Sequence, residues 1–212
     1  YSSGQALDAL EETANQVLPN GYGFEFVESS AQEREASGKT VYALSLGMLF
    51  VFLSLAALYE SWKVPFTVIF GIPTGFFGAS LAAMAFHVYN DIYFQIGLLT
   101  IIGLAAKNAI LIVEYAKVRV DNGMDVMKAS IEASQIRLRP ILMTSLAFIL
   151  GNIPLALSTG AGSNSRSEMG IAVVFGVLSA TVFQIFIVPM LFVVIERIHG
   201  FKRPKKGISV SK

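Results

Sequence analysis

Five apolar runs dominate the chain, at residues 41–59, 64–88, 92–113, 140–158 and 169–196. Crossing the roughly 30 Å hydrocarbon core of a bilayer takes about 20 apolar residues at ~1.5 Å rise each, and every run meets that length. Backbone placed in lipid must satisfy its own hydrogen bonds, so such runs fold as transmembrane helices. Composition agrees, with 54% of the 212 residues hydrophobic and 15% charged, where soluble domains hold about 45–50% apolar residues. Mean hydropathy is +0.60. A formal net charge of +1 offers no basic surface for nucleic acid. The lack of cysteine excludes a disulfide scaffold and thiolate chemistry without naming a compartment.

The polar head differs from everything after it. GQALDALEETANQVL carries Leu7, Leu10, Ala14 and Val17 at helical spacing, which predicts an amphipathic helix resting on a partner surface. PNGYG reads as a turn and FEFV as a short strand. One helix and one strand close no core, so residues 1–30 are expected to complete a domain begun elsewhere, with 31–40 as a linker.

Lys and Arg set the orientation. Lys117, Arg119, Lys128, Arg137 and Arg139 lie between the third and fourth spans, and Arg197, Lys202, Arg203, Lys205, Lys206 and Lys212 crowd the C-terminal end. Both regions are expected on the cytoplasmic side. The loops around Asp91 and Arg166, and the head with only Arg34 and Lys39, belong outside. An external head without a signal segment predicts at least one earlier span, hence a C-terminal fragment. The basic segment 200–212 serves as a topology anchor or touches anionic lipid.

Within the spans, Gly71, Pro73 and Gly75 place a bend and a small-residue contact face in the second. Gly151 and Pro154 mark the fourth and Pro189 the fifth. Such residues are common in membrane helices even without a hinge role. TGAGSNSRSE lacks the lysine of a phosphate loop and reads as a flexible external loop.

The sharpest feature is Lys107, inside GLAAKNAILIVEY and roughly 15 Å along the helix from Lys117. A charged lysine at the helix centre costs about 2.5–3.5 kcal/mol on insertion scales. Glu114 shares its face but sits about 10 Å away along the axis, and Glu60, Asp91, Glu168 and Glu196 only flank the runs. A counter-charge is therefore expected from another part of the protein, because an isolated buried ammonium loses its proton. Asn108 is turned about 100° from Lys107, while Gly103 and Ala106 thin the wall for a neighbouring helix. Arg137 and Thr144 share a face seven residues apart, with Ser145 off it. Plainer roles exist: a backbone bond for Thr144, a boundary mark for Arg139, helix glue for Asn108.

The strings LAALYESW, NDIYFQIGLLTIIGLAAKNAILIVEYAK and RLRPILMTSLAFILGNIPLALSTGAGS resemble the C-terminal part of resistance-nodulation-division transporters, nearest the hydrophobe/amphiphile multidrug efflux branch. The resemblance implies an all-α membrane protein whose five spans are the last five of twelve, preceded by a small α+β periplasmic segment joined through QEREASG. It further implies a homotrimer in the bacterial inner membrane, working with a periplasmic adaptor and an outer-membrane channel to export amphiphilic drugs. No cofactor is implied; the proton-motive force drives transport. Lys107 matches the family's lysine that faces two aspartates of the N-terminal half, and Arg137 and Thr144 match its relay arginine and threonine. In that mechanism a proton neutralises one carboxylate, Lys107 reorients, and packed helices shift.

Two alternatives stay open at this stage. One is a structural or assembly membrane module of the same superfold, in which the charge pair only fixes packing. The other is a metal-ion exporter of the family, although His87 and His199 sit at span ends, where they suggest boundaries. An enzyme is not expected, since no nucleophile–base pair, phosphate loop or metal-ligand cluster has usable spacing.

Overall fold

The computed structural model describes residues 3–19, 21–27, 30–31, 39–62 and 64–198. Its architecture is carried by α1 (Ser3–Val17), α2 (Thr40–Tyr59), α3 (Val64–Ile69), α4 (Pro73–Phe86), α5 (Ile92–Asp121), α6 (Val126–Ala156) and α7 (Ser163–Ile198). Among the described residues, five stretches are long and apolar enough to cross a membrane, with α3 and α4 together forming one of them.

The head departs from its expected form. The helix is present as α1, and Tyr22 N donates to the Pro19 carbonyl at 3.1 Å to make the turn. Residues 24–27 are not a strand. A strand needs a ladder partner, and none exists among the described residues; Phe24 and Phe26 instead meet edge to face at 5.5 Å. Most of the expected linker and the segment from His199 onward lie outside the described residues.

Two connections are more ordered than their polarity suggests. The basic segment between the third and fourth spans is helical apart from a short reversal after Asp121, where Gly123 takes φ +91. An L-residue meets steric strain there and glycine does not. The external loop before the last span is also shorter than expected, because α7 already begins at Ser163. Arg166 Nη2 donates to the Ala161 carbonyl at 3.0 Å and Ser167 Oγ to the Ala156 carbonyl at 2.8 Å, which ties that turn to the end of α6.

The second span breaks at residues 70–72. Pro73 starts α4 without an N–H to give, as proline at a first helical position does. Around it the bonds step by three residues: Gly71 N to Val68 O, Ile72 N to Ile69 O and Gly75 N to Ile72 O, at 2.9–3.0 Å. This tighter winding frees the Gly71 carbonyl, which accepts from Thr74 Oγ1 at 2.7 Å and from Gln184 Nε2 of α7 at 3.1 Å.

Helix α7 is central, packed on α4, α5 and α6, whereas α2 is peripheral. Close approach to α4 rests on small residues. A Cβ on Gly75 would stand 2.4 Å from Ile101 Cγ2 of α5, and one on Gly78 would stand 2.1 Å from Ser179 Cβ of α7. Lipid gives little hydrophobic drive between helices, so such interlocking supplies the attraction. The apolar core has two clusters. One, around Val68, Ile112, Ala133 and Phe192, lies toward the basic end; the other gathers Ile72, Ala79, Ile101, Ala105 and Ala172.

Candidate functional site

Asp91 caps α5, its Oδ1 accepting from Phe94 N at 2.9 Å, and the helix then runs unbroken past Lys107. Its inner stripe of Ile101, Ala105, Asn108 and Ile112 is buried. Gly103, Lys107, Glu114 and Val118 form the outer stripe, and all four are exposed. Helical periodicity explains the division, because residues three and four apart share a face.

Lys107 and Thr144 line one cleft at the α5–α6 boundary. Together with Leu104, Asn108, Ser145, Phe148 and Val177 they line a cleft of about 50 Å³. No ion pair or hydrogen bond reaches the Lys107 ammonium among the described residues. Gly103, four residues before Lys107 on α5, and Gly151, three residues past Phe148 on α6, have nothing within 4 Å of their missing Cβ positions. The wall beside the lysine is thus thin and uncovered, which suits a closely packed further helix. Ala106 does not belong to that wall; it is 3% exposed and sits in the core.

Thr144 Oγ1 donates to the Ile141 carbonyl at 3.1 Å, so its hydroxyl proton is held by its own helix while its oxygen borders the cleft. Asn108 is buried and donates through Nδ2 to Ser145 Oγ at 3.3 Å. Sequence spacing separated Ser145 from the Arg137–Thr144 face, and the structure places it one residue inward, in the core.

Arg137 does not enter the cleft. Its guanidinium lies over the Tyr115 ring at 5.2 Å, roughly 10 Å along α6 from Thr144 toward the basic end. Arg137 Nε is buried with no hydrogen-bond partner among the described residues. Arg119 reaches the same Tyr115, donating to its hydroxyl, and pairs with Glu132 Oε1 at 2.7 Å. Two cations on one aromatic ring form a cluster that spacing alone did not reveal; cation–π attraction and the Glu132 carboxylate offset their mutual repulsion. Lys117 likewise donates to the Tyr59 carbonyl at 2.7 Å, satisfying an orphan group at the end of α2.

This arrangement puts Lys107, exposed at mid-helix and without an acidic partner among the described residues, in one cleft with Thr144, with Arg137 about 10 Å further along α6. The AcrB/AcrD/AcrF family profile matches residues 1–196. The chain belongs to the AcrB/AcrD/AcrF family. It is 47% identical over 209 residues to the toluene efflux pump membrane transporter TtgB of Pseudomonas putida, covering 99% of this chain and 20% of that protein. It is 50% identical over 197 residues to the multidrug export protein AcrF of Escherichia coli, covering 92% and 19% respectively. For the multidrug resistance protein MdtF of Escherichia coli the identity is 48% over 207 residues, with 97% and 20% covered. The chain therefore spans about a fifth of the length of these relatives. The resemblance to multidrug efflux transporters drawn from the NAILIVE and RLRPILMTS strings is shown by the family match.

The family members that the chain resembles are membrane transporters. His87 occupies the C-terminal cap of α4 at φ 54, away from the Lys107 cleft. No group of three potential metal-ligating His, Cys, Asp or Glu residues occurs among the described residues.

Proposed function

We propose that this chain is the C-terminal part of a proton-driven drug exporter and carries the cationic side of its proton relay. The observation that supports this reading is the Lys107 cleft: an ammonium at mid-span, next to Thr144, on a glycine-walled face with no acidic partner among the described residues. An intramembrane charge of this kind demands compensation and marks ion or proton pathways. In this reading a helix from the portion of the transporter that this chain does not span covers the face and brings the carboxylates.

With those carboxylates ionised, Lys107 pairs with them. Protonation from the periplasm weakens the pairing, the ammonium turns toward another acceptor, and Thr144 Oγ1 stands beside it in the cleft. Arg137, held on Tyr115 nearer the cytoplasmic end, stabilises negative charge as the proton leaves that way. Membrane potential adds about 2.3 kcal/mol per charge moved through 100 mV, enough to bias states a few kcal/mol apart. The break at Gly71, Pro73 and Gly75 gives the second span a place to bend. The whole transporter is a twelve-span homotrimer of the inner membrane, with residues 1–40 periplasmic and the C-terminal end cytoplasmic. It acts with an adaptor and an outer-membrane channel on amphiphilic drugs, and it needs no cofactor.

The test uses the full-length transporter in proteoliposomes under an imposed pH gradient. Lys107→Met, which keeps length and removes charge, is expected to assemble as a trimer and lose dye export. Export at the parental rate by a folded, trimeric Lys107→Met protein refutes the relay and leaves the packing-module reading standing.

A further inference from the structure

Buried polar side chains interrupt the apolar core where its two clusters adjoin. Asn108 stands between Ala106 and Ala109 of the first cluster, and Thr181 and Gln184 lie between Ala180 of the second and Val188 of the first. Asn108 Nδ2 donates to Ser145 Oγ at 3.3 Å, and the Ser145 and Thr181 hydroxyls are 2.9 Å apart. Thr181 Oγ1 also lies 2.7 Å from the Val177 carbonyl. Each hydroxyl has one proton, so when Thr181 donates to Val177, Ser145 donates to Thr181. One helical turn further along α7, Gln184 Nε2 donates to the Gly71 carbonyl that the break in the second span has freed. Asn108, Ser145, Thr181 and Gln184 are at most 5% exposed, so these bonds are shielded from competing water or lipid headgroups.

Gln184 is expensive to keep. Its Oε1 is buried with no hydrogen-bond partner among the described residues, while its amide donor holds the break. An apolar residue at that site would avoid the orphaned acceptor. A group retained against stability calls for a role other than packing.

We propose that Thr181 and Gln184 make α7 a polar bridge that positions the Lys107 cleft relative to the α3–α4 break. Lys107 and Thr144 are the immediate chain neighbours of Asn108 and Ser145, so the bridge fixes the two backbone segments that carry the cleft. At its other end it holds the Gly71 carbonyl at the break, which accepts from Thr74 Oγ1 as well. A displacement at the cleft then reaches the break through one rigid helix, not through loops. The link to coupling rests on the proton-relay reading; the mechanical bridge does not.

Hydrogen exchange on the full-length transporter in nanodiscs tests the bridge. Thr181→Val keeps shape and removes the hydroxyl, whereas Thr181→Ser keeps the hydroxyl. Loss of the Ser145 contact is expected to speed exchange of the Gly71, Ile72, Thr74 and Gly75 amides about three- to tenfold, with Thr181→Ser near the parental rate. Unchanged exchange at the break in Thr181→Val overturns the bridge, as does a Thr181→Ser effect equal to that of valine. For coupling, Gln184→Leu is expected to move the pH midpoint of dye export. An unmoved midpoint, where Lys107→Met abolishes export, overturns that link while leaving the relay intact. If Lys107→Met exports normally, the relay has failed and the exchange experiment still decides the bridge.

Discussion

Replacing Gly78 by alanine tests what holds α4 on α7. The added Cβ would stand 2.1 Å from Ser179 Cβ and 2.7 Å from the Phe175 carbonyl oxygen, whereas carbon atoms prefer roughly 3.5–4.0 Å. Ser179 cannot simply rotate away, because its own Cβ is the obstacle and the second obstacle is backbone. The helices must therefore part by more than about 1 Å. That movement strains the Ser179 Oγ to Thr74 carbonyl bond, now 2.8 Å. Overpacking of a tight interface costs about 1–3 kcal/mol, and losing one hydrogen bond adds about 0.5–1.5 kcal/mol. A destabilisation of about 2–4 kcal/mol is expected. Reversible unfolding of the full-length transporter in lipid nanodiscs measures it, with a Gly78→Ala/Ser179→Gly double variant alongside. The double variant should recover only part of the loss, since the Phe175 carbonyl remains in the way. Unfolding of Gly78→Ala within about 0.5 kcal/mol of the parent refutes the claim that close backbone approach holds these helices together.

Asp91→Ala removes the cap of α5 and should cost about 1 kcal/mol, read as faster hydrogen exchange confined to the first turn of that helix. Lys117→Met leaves the Tyr59 carbonyl without its side-chain donor and removes the cation from the Tyr59 ring. A loss of about 1–2 kcal/mol is expected, seen as earlier release of α2 in limited proteolysis.

How far the site was legible differs from residue to residue. Lys107 was readable because its cost in lipid depends only on its charge and depth, both of which follow from counting residues. Helical periodicity could not show that Lys107 and Thr144 line one cleft, because they lie on different helices and their placement depends on how α5 and α6 pack; only the family resemblance grouped them. Arg137 and Thr144 do share a face of α6, as their spacing requires. What each touches is set by neighbours at different depths, Tyr115 for one and the cleft for the other. Thr181 and Gln184 had a usable signal, standing with Ser179 as the polar side chains of the apolar run 170–195, and their hydrogen bonds supply the meaning. The FEFV alternation gave a strand pattern, but alternation records a preference and a strand requires a partner.

Five membrane helices, their approximate limits and a lysine at mid-span followed from the sequence alone, because length, hydropathy and the cost of a charge in lipid are properties of single segments. Tertiary structure decided that Gly71 offers a carbonyl to Gln184, that Gly75 admits Ile101 of α5 and Gly78 admits α7, and that Lys107 and Thr144 line one cleft. Those outcomes depend on contacts between residues far apart in the chain, and packing across helices, unlike periodicity along one, leaves no regular mark in the order of amino acids.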